Sequence, residues 1–158
     1  MNTKVMTSSE TTEWTTPRDL FDHLDKIYHF TLDAAATSEN ALCDKFYDEV
    51  TNGLAYSWKD EVVFVNPPYG RRHNRKWAQK ISYEGGNTTV VALVAARTGS
   101  KWFQDYIAKD ANILYFLKGR LKFTNAVSGA PFDSCIAVFY PDLKCDNQVI
   151  RFCKWEEI

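Results

Sequence analysis

Val62-Val63-Phe64-Val65-Asn66-Pro67-Pro68-Tyr69-Gly70 is the stretch on which the reading of this chain turns. The apolar run Val62–Val65 predicts a strand, and the four residues after it predict an abrupt, stiff corner at the strand's C-terminal end. Neither proline has an N–H, and each holds φ near ~−65°. Pro67 biases Asn66 toward an extended conformation, and Pro68 does the same to Pro67. The Asn66 side-chain oxygen and the Pro67 carbonyl can therefore point the same way, with the ring of Tyr69 as a flat wall beside them.

Two converging acceptors and an aromatic face suit a planar ring bearing an exocyclic NH2. Both amine hydrogens can be held while the ring stacks. Hydrogen bonds of that kind favour a tetrahedral nitrogen with an available lone pair. Such a nitrogen can attack an electrophilic methyl group, and no general base with a shifted pKa is needed for the attack itself.

Outward from this corner the pattern alternates between helix and strand. Thr16 or Thr15 is expected to cap a helix over Arg18–Tyr28, with Pro17 at its first position. Leu20, Phe21, Leu24 and Ile27 fall at helical spacing. Phe30–Asp33 reads as a first strand. Residues 37–58 suggest a short helix near Ser38–Asp44 and an extended piece near Phe46–Tyr47. Arg75–Ser82 reads as a helix. Thr89–Ala95 reads as a strand buried on both faces. Lys101–Lys109 reads as a helix with Trp102, Phe103, Tyr106 and Ile107 toward the core. Ile113–Leu117, Arg120–Phe123 and Ile136–Tyr140 read as strands. Alternation of this kind implies an α/β fold, with a mostly parallel sheet flanked by helices. Ligands in such folds bind beyond the carboxyl ends of the strands. Asp33 and Asn66 both fall there.

A chain of 158 residues suits one compact domain, here residues 13–158, preceded by a polar arm over residues 1–12. No apolar stretch is long enough to span a bilayer, and the N-terminus lacks the apolar segment of a signal peptide. Cys43, Cys135, Cys145 and Cys153 have no metal-ligand spacing, so free thiols in a reducing cytoplasm are expected and no metal. Net charge is −1, so any polyanion must be met by local patches. Two candidates stand out. Arg71, Arg72, Arg75 and Lys76, with His73 and Lys80, follow the corner. Lys118, Arg120 and Lys122 alternate, and on a strand would share one face.

The ordered set of motifs resembles a known family. Asn66-Pro67-Pro68-Tyr69 is similar to the catalytic motif of the amino-methyltransferases. Glu13-Trp14-Thr15-Thr16-Pro17, Leu32-Asp33-Ala34-Ala35-Ala36, Gly53-Leu54, Trp58, Arg97-Thr98, Lys101-Trp102-Phe103 and Gly119–Phe123 occur in an order resembling the small phage-type DNA adenine-N6 methyltransferases. The resemblance runs from about Trp14 to Tyr140. It implies the S-adenosylmethionine-dependent methyltransferase version of the Rossmann sheet, with an antiparallel last strand. It also implies a phage or prophage origin and a place in the host cytoplasm.

By that resemblance Asn66 and the Pro67 carbonyl orient the amine of a flipped adenine, Pro68 stiffens the corner, and Tyr69 stacks on the base. Trp14, Thr16, Pro17, Asp33, Ala34 and Asn66 fall in the cofactor site. On local evidence Asp33 could equally cap the following turn. Asp48 or Glu49 would hold the ribose hydroxyls. Arg97 joins Arg71, Arg72, Arg75, Lys76, Lys118, Arg120 and Lys122 as a candidate DNA contact. Two other readings stand beside this one: the same chemistry on cytosine N4, RNA adenine or a glutamine side chain, and a non-catalytic protein that binds cofactor or DNA.

Overall fold

The computed structural model describes residues 13–143 and 145–158. The expected arm, residues 1–12, lies outside them. The element order is α1 (Arg18–Tyr28), β1 (Leu32–Asp33), β2 (Val62–Val65), α2 (Asn74–Gly85), β3 (Thr89–Ala95), a π-helical segment (Phe103–Ala108), β4 (Ile113–Leu117), β5 (Ser134–Phe139) and β6 (Val149–Cys153), with short 3-10 turns at Cys145–Asn147 and Trp155–Glu157. One six-stranded sheet has the order β1-β2-β3-β5-β4-β6. β1, β2 and β3 pair in parallel, as do β4 and β6. β5 alone opposes its neighbours and sits between β3 and β4. The fold is thus the mostly parallel α/β sheet expected of an S-adenosylmethionine-dependent methyltransferase. The antiparallel strand, however, is interior, and the last strand is parallel to β4. Burial explains the position of β5, since all six of its residues are buried.

Strand alternation splits the core into two layers. Val90, Ala92 and Val94 of β3 face Trp77, Ala78 and Ile81 of α2, together with Phe103 and Ile107. Val91, Leu93 and Ala95 face Leu20, Phe21 and Leu24 of α1 on the other side. The second layer also holds Leu121, Phe123, Ala130 and Phe132. These belong to a loop, so the strand expected over Arg120–Phe123 is absent. Its in–out alternation survives without a sheet partner: Leu121 and Phe123 are buried while Lys118, Arg120 and Lys122 are exposed.

Other local expectations shift for identifiable reasons. Pro17 is the cap residue of α1 rather than its first helical residue, and among the described residues no side chain caps the helix. The Thr16 hydroxyl is instead engaged by Asn66 (2.9 Å). Residues 38–44 form turns, not a helix. There the Thr37 N–H donates to Asn40 Oδ1 (2.7 Å) and the Leu42 N–H to Asp33 Oδ2 (3.1 Å), so side chains compete with helical bonding. Phe46 does pair with Asp33 in a parallel bridge. The helix expected over Lys101–Lys109 widens into π-helical geometry at Phe103–Ala108, with Trp102 and Tyr106 only partly buried. Strand β6 was not anticipated, and its residues are mostly exposed. Among the described residues no helix is long and apolar enough to cross a membrane.

Candidate active site

The loops after β1 and β2 and the segment Glu13–Thr16 enclose a cavity of about 270 Å³ at the C-terminal edge of the sheet. Asn66, Pro67 and Pro68 form one wall, and Asp33, Ala34 and Asp48 form another. The corner ends at Gly70, whose φ of 117° lies in the region that favours glycine. The Gly70 N–H then donates to Asn74 Oδ1 (3.1 Å), which starts α2.

Asn66 decides what the cavity can do. Its amide nitrogen donates to the Trp14 carbonyl and to Thr16 Oγ1 (2.9 Å). A carbonyl can only accept, so the NH2 must face Trp14 and the oxygen must face away. That oxygen, Oδ1, is buried and has no partner among the described residues. An unpaired buried acceptor carries a desolvation penalty, and a donor entering the cavity would relieve it.

Asp33 is 3% exposed. Burial pushes its carboxyl up to about 6, against the opposing effect of the Leu42 and Ala35 N–H groups. Both of those bonds are local (3.1 and 3.4 Å), as the capping reading expects, and Asp33 also lines the cavity. Asp48 lies two residues beyond the Phe46 bridge, at the end of what amounts to a second parallel extension. Its Oδ1 accepts from the Val50 and Thr51 N–H groups and from the Thr51 hydroxyl. Glu49 lies in the turn, is exposed and also lines the cavity.

The floor of the cavity is braced from behind. A Cβ on Gly53 would lie 2.1 Å from the Ala34 carbonyl oxygen, so only glycine permits this approach. The Gly53 carbonyl accepts the Trp58 indole N–H (2.9 Å). The Trp58 backbone N–H donates to buried Glu84 (3.1 Å), which also pairs with Lys80 (2.6 Å). Lys80 is therefore a brace and not part of the basic patch.

Tyr69, expected as a flat wall beside the acceptors, does not line this cavity. It is 7% exposed, packs on Phe132 (5.1 Å between centroids) and Phe123 (6.3 Å), and donates its hydroxyl to the Leu93 carbonyl (3.1 Å). The apolar underside of the 121–132 loop draws the ring inward, and the phenol finds a backbone acceptor there. The aromatic residues lining the cavity are Trp14, Tyr47 and Trp77. Pro17 does not line it. Tyr47, Asn40 and Trp77 had no motif to announce them; only pairing across the sheet edge brings them in.

The topology also sorts charge. The loops after β2, β3 and β4 all leave the sheet at the cavity's edge. They and the first residues of α2 carry Arg71, Arg72, Arg75, Lys76, Arg97, Lys101, Lys118, Arg120 and Lys122, all exposed, against a single acid, Asp133. Nine of the chain's 19 Lys and Arg thus lie in this rim with one of its 20 Asp and Glu, which is how a net charge of −1 hides a basic face. Arg75 is partly committed, since its guanidinium lies over the Tyr106 ring (5.4 Å) and bonds its hydroxyl (3.2 Å). His73 lines the cavity rather than the rim. Cys43, Cys135 and Cys153 are free thiols. Among the described residues no cluster of His, Cys, Asp or Glu could hold a metal ion.

Comparison with known proteins agrees with this geometry. The family model described as DNA N-6-adenine-methyltransferase (Dam) matches residues 3–151. The chain is similar to the DNA N-6-adenine-methyltransferase of Escherichia phage T1, 31% identical over 138 residues that cover 76% of this chain and 57% of the relative. It is also similar to the DNA N-6-adenine-methyltransferase of Haemophilus phage HP1, 27% identical over 139 residues covering 82% of this chain and 79% of the relative. The chain therefore spans just over half of the phage T1 protein and most of the phage HP1 protein. The match along nearly its whole length, together with the Asn66–Tyr69 corner at the sheet edge, makes the chain a member of the DNA N-6-adenine-methyltransferase (Dam) family.

Proposed function

We propose that this protein transfers a methyl group from S-adenosylmethionine to the N6 amine of adenine in DNA. The observation that carries the reading is the buried, unpartnered Oδ1 of Asn66, an acceptor held ready for an incoming N–H. S-adenosylmethionine supplies the electrophilic methyl. The chain supplies the rest: Asn66 holds the amine, the Pro67-Pro68 corner keeps that acceptor from relaxing, and the strap Glu13–Thr16 closes the cavity. The donor set fits such a cofactor, which carries an ammonium, ribose hydroxyls and a flat base. Asp33 suits the ammonium, and Asp48 or Glu49, both of which line the cavity, suits the hydroxyls. Tyr69 in its buried position supports the corner from beneath. The basic rim suits the phosphates of a duplex from which adenine has been flipped, at an unstacking cost of a few kcal/mol. Such work belongs where the host DNA lies, in the cytoplasm.

Asp33 makes cofactor binding depend on pH. Its folded pKa is raised, so burying the charged form disfavours the ligand-free fold as pH rises from about 4 through about 6, by about 3 kcal/mol. A bound ammonium offsets that penalty only when Asp33 is ionised. Affinity for S-adenosylmethionine is therefore expected to be about tenfold weaker at pH 5 than at pH 7.5. In Asp33→Asn it is expected to be weak and flat across that range. Calorimetric titration measures both, and a pH-independent wild type would remove Asp33 from the site.

The decisive assay incubates the protein with unmethylated DNA and methyl-labelled S-adenosylmethionine, then digests the DNA to nucleosides. Label in N6-methyladenine is the expected result. Label in N4-methylcytosine would keep the chemistry and change the base. Absence of label in DNA would overturn the reading.

A further inference from the structure

We propose that Asn125, in the loop between β4 and β5, is a positioning residue that sets the orientation of the Asn66 amide through the strap Glu13–Thr16. The strap is an extended segment gripped along both edges. On one edge Asn125 Oδ1 accepts the Thr15 N–H (3.0 Å) and Asn125 Nδ2 donates to the Glu13 carbonyl (3.1 Å). The Thr124 N–H adds a bond to the Thr15 carbonyl (2.9 Å). On the other edge the Trp14 carbonyl accepts from Asn66. Successive carbonyls of extended chain point to opposite sides, so residues 13 and 15 face the loop while residue 14 faces Asn66. Asn125 acts as a short artificial strand partner. It fixes how far the Trp14 carbonyl reaches and where Thr16 Oγ1 sits.

The orientation of Asn66 depends on that reach. Its amide can turn about its last side-chain bond, and only the two acceptors on the strap favour NH2 toward the strap. Should the strap lift, the flipped amide would present hydrogens to a substrate amine and repel it. Among the described residues Asn125 has no other side-chain role. It is exposed, and it belongs to neither apolar cluster. The loop itself is closed by other bonds, Ala126 N–H to the Phe123 carbonyl (3.1 Å) and Ala130 N–H to the Leu121 carbonyl (2.9 Å). The same loop carries Lys118, Arg120 and Lys122, so DNA on the rim would press on the clamp. That last link rests on the proposed function; the clamp does not.

The test reads Asn66 directly. Its side-chain NH2 resonance is assigned by its disappearance in Asn66→Asp, and solvent exchange of its protons is followed by NMR in the full chain without ligand. Asn125→Ala is expected to speed that exchange and to lower kcat, each about tenfold, the effect of losing one or two hydrogen bonds. The unfolding midpoint should stay within about 3 °C of wild type, as for a surface substitution in a domain of this size. Asn125→Asp keeps the acceptor for Thr15 and loses the donor to Glu13, so it should fall between the two. Unchanged Asn66 exchange in Asn125→Ala overturns the proposal, as does a general rise in amide exchange with a collapsed midpoint. If wild type methylates no DNA yet Asn66 exchange responds to Asn125→Ala, the clamp stands and only the assigned reaction fails.

Discussion

Replacing Asn66 with alanine is expected to lower kcat roughly 100- to 1,000-fold, the effect typical of removing one preorganised hydrogen-bonding group at a reacting centre. The loss follows from position as well as chemistry. Oδ1 is buried and has no partner among the described residues, so no existing hydrogen bond has to break before it accepts the substrate amine. Cofactor affinity should weaken far less, by about tenfold or under, because the strap loses two bonds to Asn66 but keeps those to Thr124 and Asn125. Asn66→Asp should be as inactive as the alanine variant for a different reason. An ionised carboxylate has no hydrogen for the Trp14 carbonyl, so it repels the strap that the amide holds down. Single-turnover assays with labelled cofactor, paired with calorimetry, separate the two effects. Wild-type turnover in Asn66→Ala would detach the corner from the chemistry.

Glu84→Ala is expected to cost about 3 kcal/mol of stability, the lower end of the range for breaking a buried charge pair. Glu84 is 1% exposed and accepts both the Trp58 N–H and the Lys80 ammonium. Removing it leaves a buried N–H without a partner, while Lys80 retains the Tyr56 carbonyl (2.8 Å). In a domain of this size the thermal midpoint should fall by roughly 6–12 °C. The damage should also reach the cavity. Trp58 holds the Gly53 carbonyl, and Gly53 seats against Ala34, so loosening Glu84 frees the floor. A weaker affinity for S-adenosylmethionine is therefore expected alongside the lower midpoint, although Glu84 does not line the cavity. Urea unfolding and calorimetry on the same sample test both halves. A midpoint within 2 °C of wild type would show that the pair contributes little.

Elements whose reasons are local were legible in the chain. Val62–Val65, Thr89–Ala95 and Ile113–Leu117 are strands with the bounds their apolar runs imply, and α1 spans Arg18–Tyr28 as its spacing implies. Elements that compete with side-chain hydrogen bonds were misread. Asn40 and the Asp33 carboxylate hold the 37–42 segment in turns, and Asn66 takes the Thr16 hydroxyl from its capping role. The Arg120–Phe123 run has the alternation of a strand, but its alternation reflects one buried side of a loop rather than a paired backbone. The Tyr69 ring, expected as a flat wall beside the two acceptors, is buried under the 121–132 loop, because a motif specifies residue type but not which apolar surface will reach the ring first.

The sequence alone determined the corner at Asn66-Pro67-Pro68, the α/β alternation and the chemistry those residues can perform, because proline geometry and hydrophobic period act between near neighbours. The tertiary structure alone decided that β5 would insert antiparallel between β3 and β4, and that three loops and the start of α2 would pool nine basic residues at one edge. It also decided which end of the Asn66 amide faces the strap. The bonds that settle this join residues 50 and 52 positions apart, and the clamp behind them joins residues 110 and 112 apart. No local pattern encodes contacts at that range; they exist only once the sheet has brought the strap, the corner and the loop to the same edge.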